Sequence, residues 1–174
     1  MRNFIYLGDF MKKLYIIGGT IGVGKTTTCQ ILKKKLYNSV FLDGDWCWDS
    51  YPFQVTKETK KIVLDNICYL LNNFIHCPAY EHVIFCWVMD RQEIINTILE
   101  RLDTTNCVVK VISLVCSEDE LIKRLEKDVT LGLRNQDIIV KSLMRLPLYD
   151  DVQSIKIDCT NKTPEEVAEL IAKL

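Results

Sequence analysis

The chain has 174 residues, 48% hydrophobic and 26% charged, which suits one globular domain with a single substantial core. Its formal net charge of −1, with lysines spread along the chain, lacks the basic footprint of a dedicated nucleic-acid binder. No apolar stretch is long enough to cross a bilayer.

Met1 to Phe10 has no charged stretch leading into an apolar core and no small-residue cleavage site, so it does not read as a signal peptide. Met11-Lys12-Lys13, followed at once by an apolar run, is a more natural beginning. Leu7-Gly8-Asp9-Phe10 can also be encoded by a purine-rich stretch resembling a ribosome-binding site. Residues 1–10 are therefore expected to be a non-native or extra leader, with Met11 the physiological start. The alternative is a short arm packed on a sheet edge.

Lys13 to Ile17 is a short β-branched run of the kind that makes a buried parallel strand. Directly after it, Gly19-Thr20-Ile21-Gly22-Val23-Gly24-Lys25-Thr26 fits G-x-x-x-x-G-K-[ST] completely. Thr27 to Leu36 carries Ile31, Leu32 and Leu36 among lysines, which predicts an amphipathic helix. Glycines let the backbone curl until successive N–H groups can hold phosphate oxygens, and the helix start adds partial positive charge. The whole stretch from Gly19 to Thr27 is thus a candidate nucleotide site. Lys25 would reach the β- and γ-phosphates and the Thr26 hydroxyl would serve Mg²⁺. A turn that binds nothing has no need of Lys-Thr after its last glycine.

Further strands are predicted over Ser39 to Leu42, His82 to Met89, Cys107 to Val115 and Ser154 to Ile157. Helical patterns separate them, over about Thr56 to Phe74, Arg91 to Leu102, Glu118 to Lys127, Asp137 to Leu146 and Pro164 to Lys173. Thr163-Pro164-Glu165-Glu166 opens the last helix with a capping box and a proline at its first position. Strand alternating with helix predicts an α/β, three-layer fold: a parallel five-stranded sheet with helices on both faces. Ligands in such sheets sit at the strands' carboxyl ends. The eight cysteines form no C-x-x-C pair, and the histidines are only two. They read as reduced packing residues of a cytoplasmic protein.

Asp43-Gly44-Asp45 follows the second strand. On extended backbone residues two apart project to the same side, so both carboxylates would face the phosphate pocket. Transfer of a phosphoryl group to an alcohol needs one carboxylate near the metal and another in reach of the attacking hydroxyl. The bland reading is an everyday Asp-Gly turn.

With these residues in place the chain resembles the small P-loop kinases of metabolites and nucleotides, among them shikimate, gluconate and adenylate kinases. Phe41-Leu42-Asp43-Gly44-Asp45 is similar to the strand-end D-x-D of the shikimate and gluconate branch. The resemblance implies that Asp43 serves Mg²⁺ and that Asp45 orients and deprotonates the acceptor. Arg134-Asn135-Gln136-Asp137 and Arg145-Leu146-Pro147 resemble the lid closure of the adenylate-kinase branch, where two arginines grip phosphates. Arg124 resembles the arginine that stacks on adenine, although the family's further arginine is replaced here by Asp128. A short lid over about 128–136, hinged at Gly132, is implied, closing a single kinase domain over 11–174.

Trp46, Cys47, Trp48, Asp49, Tyr51 and Phe53 enter the region where these kinases build their acceptor site. Trp46 and Trp48 are candidates for a substrate wall, or equally for core packing. Arg91, after the third strand, either grips an anionic acceptor or makes a structural salt bridge. The chain therefore reads as an ATP- and Mg²⁺-dependent kinase passing the γ-phosphoryl group to a hydroxyl, or a phosphate, of a small molecule. The catalytic candidates are Lys25, Asp45, Arg134 and Arg145. The rivals are a polynucleotide or nucleotide-sugar kinase, and an ATPase or switch with no acceptor. No membrane partner is expected, nucleic acid is disfavoured, and the chain reads as a monomer or homodimer.

Overall fold

The computed structural model describes residues 11–174; the expected leader, residues 1–10, lies outside the described residues. β1 (Lys12–Gly19) runs through the middle of the molecule, and every side chain from Leu14 to Ile17 is fully buried. It is flanked by β3 (His82–Cys86) and β4 (Cys107–Val115), with β2 (Ser39–Asp43) and β5 (Ile155–Asp158) at the edges. The order is β2-β3-β1-β4-β5, and every pairing is parallel. Edge strand β5 exposes Ile155 and Lys156, and a lysine on an edge discourages pairing with another chain.

Successive residues of a strand point to opposite faces, and this divides the core in two. Tyr15, Ile17, Ile84 and Leu114 pack with α1 (Lys25–Lys35), α4 (Glu118–Thr130) and α6 (Pro164–Ala172) through Leu32, Leu125 and Ile171. Leu14, Ile16, Val83 and Phe85 pack with α2 (Lys57–His76) and α3 (Gln92–Leu99) through Ile67, Leu71 and Ile95. Both faces of the sheet are thus covered, which is why β1 and β3 read as continuous apolar runs. Truncating a residue as buried as Ile16 to alanine would cost about 2–5 kcal/mol.

The helices begin where side chains can satisfy their free N–H groups. Thr56 and Thr59 form a capping box on α2, Ser117 caps α4, and the expected Thr163–Glu166 box opens α6 behind Pro164. α1 differs. Its N-cap is Gly24 with φ +103°, no side chain caps it, and its first turn contains no acid. That leaves a positive helix end at the carboxyl edge of β1, where the chain reverses direction across the sheet.

Three expectations need correction. β3 stops at Cys86 rather than Met89, because β2 ends at Asp43 and β1 turns away at its terminal glycines. Trp87 makes one last backbone bond to Ile17, and residues 87–90 then leave the sheet. α4 continues through Asp128 to Thr130, so the loop ahead of α5 (Asp137–Arg145) spans only 131–136. Gly132, with φ +70° and open space around it, is where the helical path breaks. Finally, α3 is shorter than expected, ending at Leu99, with Arg101 and Leu102 in a following turn.

Candidate active site

The glycine loop is shaped by close approaches that only glycine tolerates. At Gly22, φ is +87° and an added Cβ would sit 2.5 Å from Leu125 Cδ2. At Gly19 it would lie 2.7 Å from Val23 Cγ1 and 2.8 Å from the Leu114 carbonyl oxygen. Both faults would push the loop off the sheet end. Not all of the loop's side chains face the mouth. Val23 is buried in the core, and the buried Thr20 hydroxyl donates to the Ser142 carbonyl at 3.0 Å. Thr20 therefore offers backbone alone to a ligand, while its side chain fastens the loop to α5.

Lys25 opens α1 and is half-buried, not exposed in the manner of a free surface lysine. Its Nζ donates to the Thr20 carbonyl at 3.0 Å, which curls the side chain back over the loop. Burial pulls its ammonium below the ordinary lysine range, opposed by Cys86, Asp45, Asp43 and Cys29. Thr26 Oγ1 donates to Asp43 Oδ2 at 2.6 Å. Asp43 is 5% exposed and also receives the Cys86 thiol at 3.4 Å and the Asp45 backbone N–H at 3.1 Å.

Asp43 and Asp45 do converge, but not by the route expected. Gly44–Cys47 is a turn of 3-10 helix with Asp43 as its side-chain cap, so strand alternation does not apply. Gly44 is needed because Trp87 lies against it, its Cγ 2.5 Å from where a Cβ would stand. The same indole donates Nε1–H to Asp45 Oδ1 at 3.1 Å. Although one side of Asp45 is open to water, desolvation and the Asp43 charge push its carboxyl above the usual range. Lys25, the Trp87 bond and Arg134 act against them. A carboxylate made more basic in this way suits the acceptance of a hydroxyl proton.

The arginines are engaged within the protein. Arg134, exposed on the 131–136 loop, pairs with Asp128 Oδ2 at 3.1 Å, yet lies close enough to Asp45 to act on its charge. Arg145 pairs with the nearly buried Asp90 at 3.2 Å. Arg124 donates to Glu120, to the Val23 carbonyl and to the Cys159 carbonyl at 2.7, 3.0 and 2.8 Å. Each of its three nitrogens is engaged, and the residue lines an adjoining cavity of about 180 Å³. That cavity is also lined by Gly24, Thr27, Lys162 and Pro164. A larger groove of about 470 Å³ between α1 and α6 contains none of the expected site residues.

Trp46 is half-exposed and packs edge-on to Phe41 at 5.2 Å. Trp48 contacts Trp87 and Phe53 instead. Arg91 is exposed at the N-cap of α3. Sequence reasoning overlooked Trp87, because it sits inside an apolar run that reads as strand. It also overlooked Tyr149, whose buried hydroxyl receives the Met89 N–H at 3.2 Å and braces the segment after β3.

The donor set at Thr26 and Asp43 is one hydroxyl and one carboxylate at the phosphate end of the site. Mg²⁺ takes few protein oxygens of this kind and completes its shell with phosphate and water, so these residues fit it.

An AAA-domain family model matches residues 16–157. The fold is shared with solved structures at low sequence identity. The tunicamycin resistance protein of Deinococcus radiodurans aligns at 19% identity and TM-score 0.68, covering 93% of this chain and 94% of that one. A gluconokinase from Sinorhizobium meliloti aligns at 16% and 0.66, covering 92% and 89%. The APS kinase of Mycobacterium tuberculosis, solved with AMPPNP and APS, aligns at 11% and 0.63, covering 94% and 96%. No curated protein sequence matches the chain. The three-layer P-loop architecture expected from the sequence is the architecture found.

Proposed function

The chain belongs to the AAA-domain family, and we propose that it is an ATP-dependent kinase that phosphorylates a hydroxyl group of a small molecule. The observation that carries this reading is the pair of carboxylates at the loop mouth. Asp43 is tied to the Thr26 hydroxyl, while Asp45 is held by a separate donor and turned more basic. A switch or simple ATPase needs the first carboxylate; transfer to an alcohol gives the second the task of accepting the hydroxyl proton. Structural neighbours named as kinases support the same direction.

In this reading the loop amides and the start of α1 receive the phosphates, and Lys25 leaves Thr20 to meet their outer oxygens. Thr26 and Asp43 would hold Mg²⁺, which when bound supplies positive charge beside the transferred group. The acceptor oxygen attacks the γ-phosphorus, its proton passes to Asp45, and the bond to the β-phosphate oxygen breaks to release ADP. Arg134 exchanges Asp128 for the phosphoryl oxygens when the 131–136 loop closes, and Arg145 supports it from α5. The face of Arg124 receives the adenine in the cavity beside Thr27 and Pro164. Residues 11–174 then constitute one kinase domain. No helix among the described residues is long and apolar enough to cross a membrane.

The test is an acceptor screen with γ-labelled ATP, comparing small alcohols, oligonucleotides and water as destinations of the label. Label passing to an alcohol, and lost in Asp45→Asn, supports the reading. Release only as free phosphate, unchanged in Asp45→Asn, refutes it.

A further inference from the structure

Phosphoryl transfer itself gives no use to the segment between Asp45 and α2, yet this segment concentrates large rings beside the reacting end of the site. Trp87 lies on the Gly44 backbone and holds Asp45. Trp48 meets Trp87 edge-on, with centroids 6.0 Å apart and planes at 75°. Phe53 meets Trp48 the same way at 5.0 Å and 82°. Asn66 on α2 donates to the Cys47 carbonyl at 3.1 Å and fastens the segment in place. The row of rings begins at Asp45 and ends in water, where Phe53 is 57% exposed and Tyr51 is fully so. Isolated exposed rings need no explanation, but a continuous row leading from one carboxylate is a ready-made shelf for a flat ligand.

Charge points the same way. Arg145 is neutralised by Asp90, while the turn beside the shelf presents the exposed Asp45 and Asp49. An anionic acceptor would approach like charges there, and would rely on Arg91 at the start of α3.

We infer that the acceptor site is built for a non-anionic alcohol carrying an aromatic or heteroaromatic ring, the ring seated on the Trp48–Phe53 shelf and the hydroxyl meeting Asp45. The hydroxyl's fate rests on the kinase reading; recognition of the ring does not.

The experiment is a tryptophan-fluorescence titration of the full chain saturated with AMPPNP. Uridine and 2-phenylethanol serve as ring-bearing probes, ribitol as a ringless neutral one and gluconate as an anionic one. The ring-bearing probes should bind at least about tenfold tighter than the other two, the difference expected of one well-seated ring. Phe53→Leu, at an exposed position that leaves folding untouched, should weaken them about tenfold while AMPPNP affinity stays constant. Tightest binding by gluconate, abolished in Arg91→Ala, overturns the inference, as does ring binding indifferent to Phe53→Leu. If rings bind as expected but no alcohol in a screen takes label from ATP, the kinase reading fails and the ring site stands. If gluconate takes label and rings do not bind, the outcome is reversed.

Discussion

Trp87→Phe isolates the contact that aims Asp45 among the described residues. Phenylalanine keeps a ring over Gly44 and beside Trp48, but it has no N–H to donate to Asp45 Oδ1. A hydrogen bond to a charged group is worth about 1.5–3 kcal/mol. Asp45 is open to water on one side, and water would replace part of the lost bond, so the low end applies. About 1.5 kcal/mol expressed in the transition state is roughly a tenfold loss in kcat. The pH dependence should move as well. The indole N–H stabilises the ionised form, so its removal raises the Asp45 pKa further. Below that pKa the base is protonated and idle, and the acid limb of the rate profile should therefore shift to higher pH. Among the described residues Trp87 bonds Ile17 and Asp45 and lies against Gly44 and Trp48, so the affinity for ATP should hold. Steady-state rates across pH, with nucleotide binding measured separately, check all three. An unchanged kcat with an unmoved acid limb would mean that Trp87 only packs, and Asp45 would lose its claim to be a held base.

Lys25→Ala should cut phosphoryl transfer by roughly 10³-fold or more, the scale of removing a major electrostatic stabiliser, with circular dichroism unchanged. Asp45→Asn should lower kcat about 10²–10⁴-fold with little change in ATP affinity, as expected for a lost general base. Asp43→Asn should instead raise the Mg²⁺ concentration needed for half-maximal rate, because Thr26 and the metal lose their shared carboxylate. Gly22→Ala forces a side chain into φ +87° and against Leu125, and thermal melting should fall by a few degrees per kcal/mol of strain, with ATP binding lost.

The sheet was legible because its signal is local. A strand buried on both faces must be apolar throughout, and Leu14–Ile17 shows this without reference to any other part of the chain. The glycine loop is local too, since Gly22 and Gly24 supply the backbone angles the turn demands. Where β3 ends is not a local matter. His82 to Met89 is uniformly apolar, and the strand stops at Cys86 only because its neighbours stop pairing there. The same non-locality hid Trp87. Its role depends on a turn 42 residues away, and on a glycine whose missing side chain makes room for the indole. Thr20 shows the converse: a loop residue expected to face the ligand turns its hydroxyl to a carbonyl 122 residues on, at Ser142. Motif spacing thus locates the backbone cradle, which is fixed by adjacent residues. The aim of each side chain is set by whichever distant element arrives beside it. For that reason the contacts on which the proposed acceptor site rests, Trp87 on Asp45 and Trp48 on Phe53, are side-chain contacts absent from any motif.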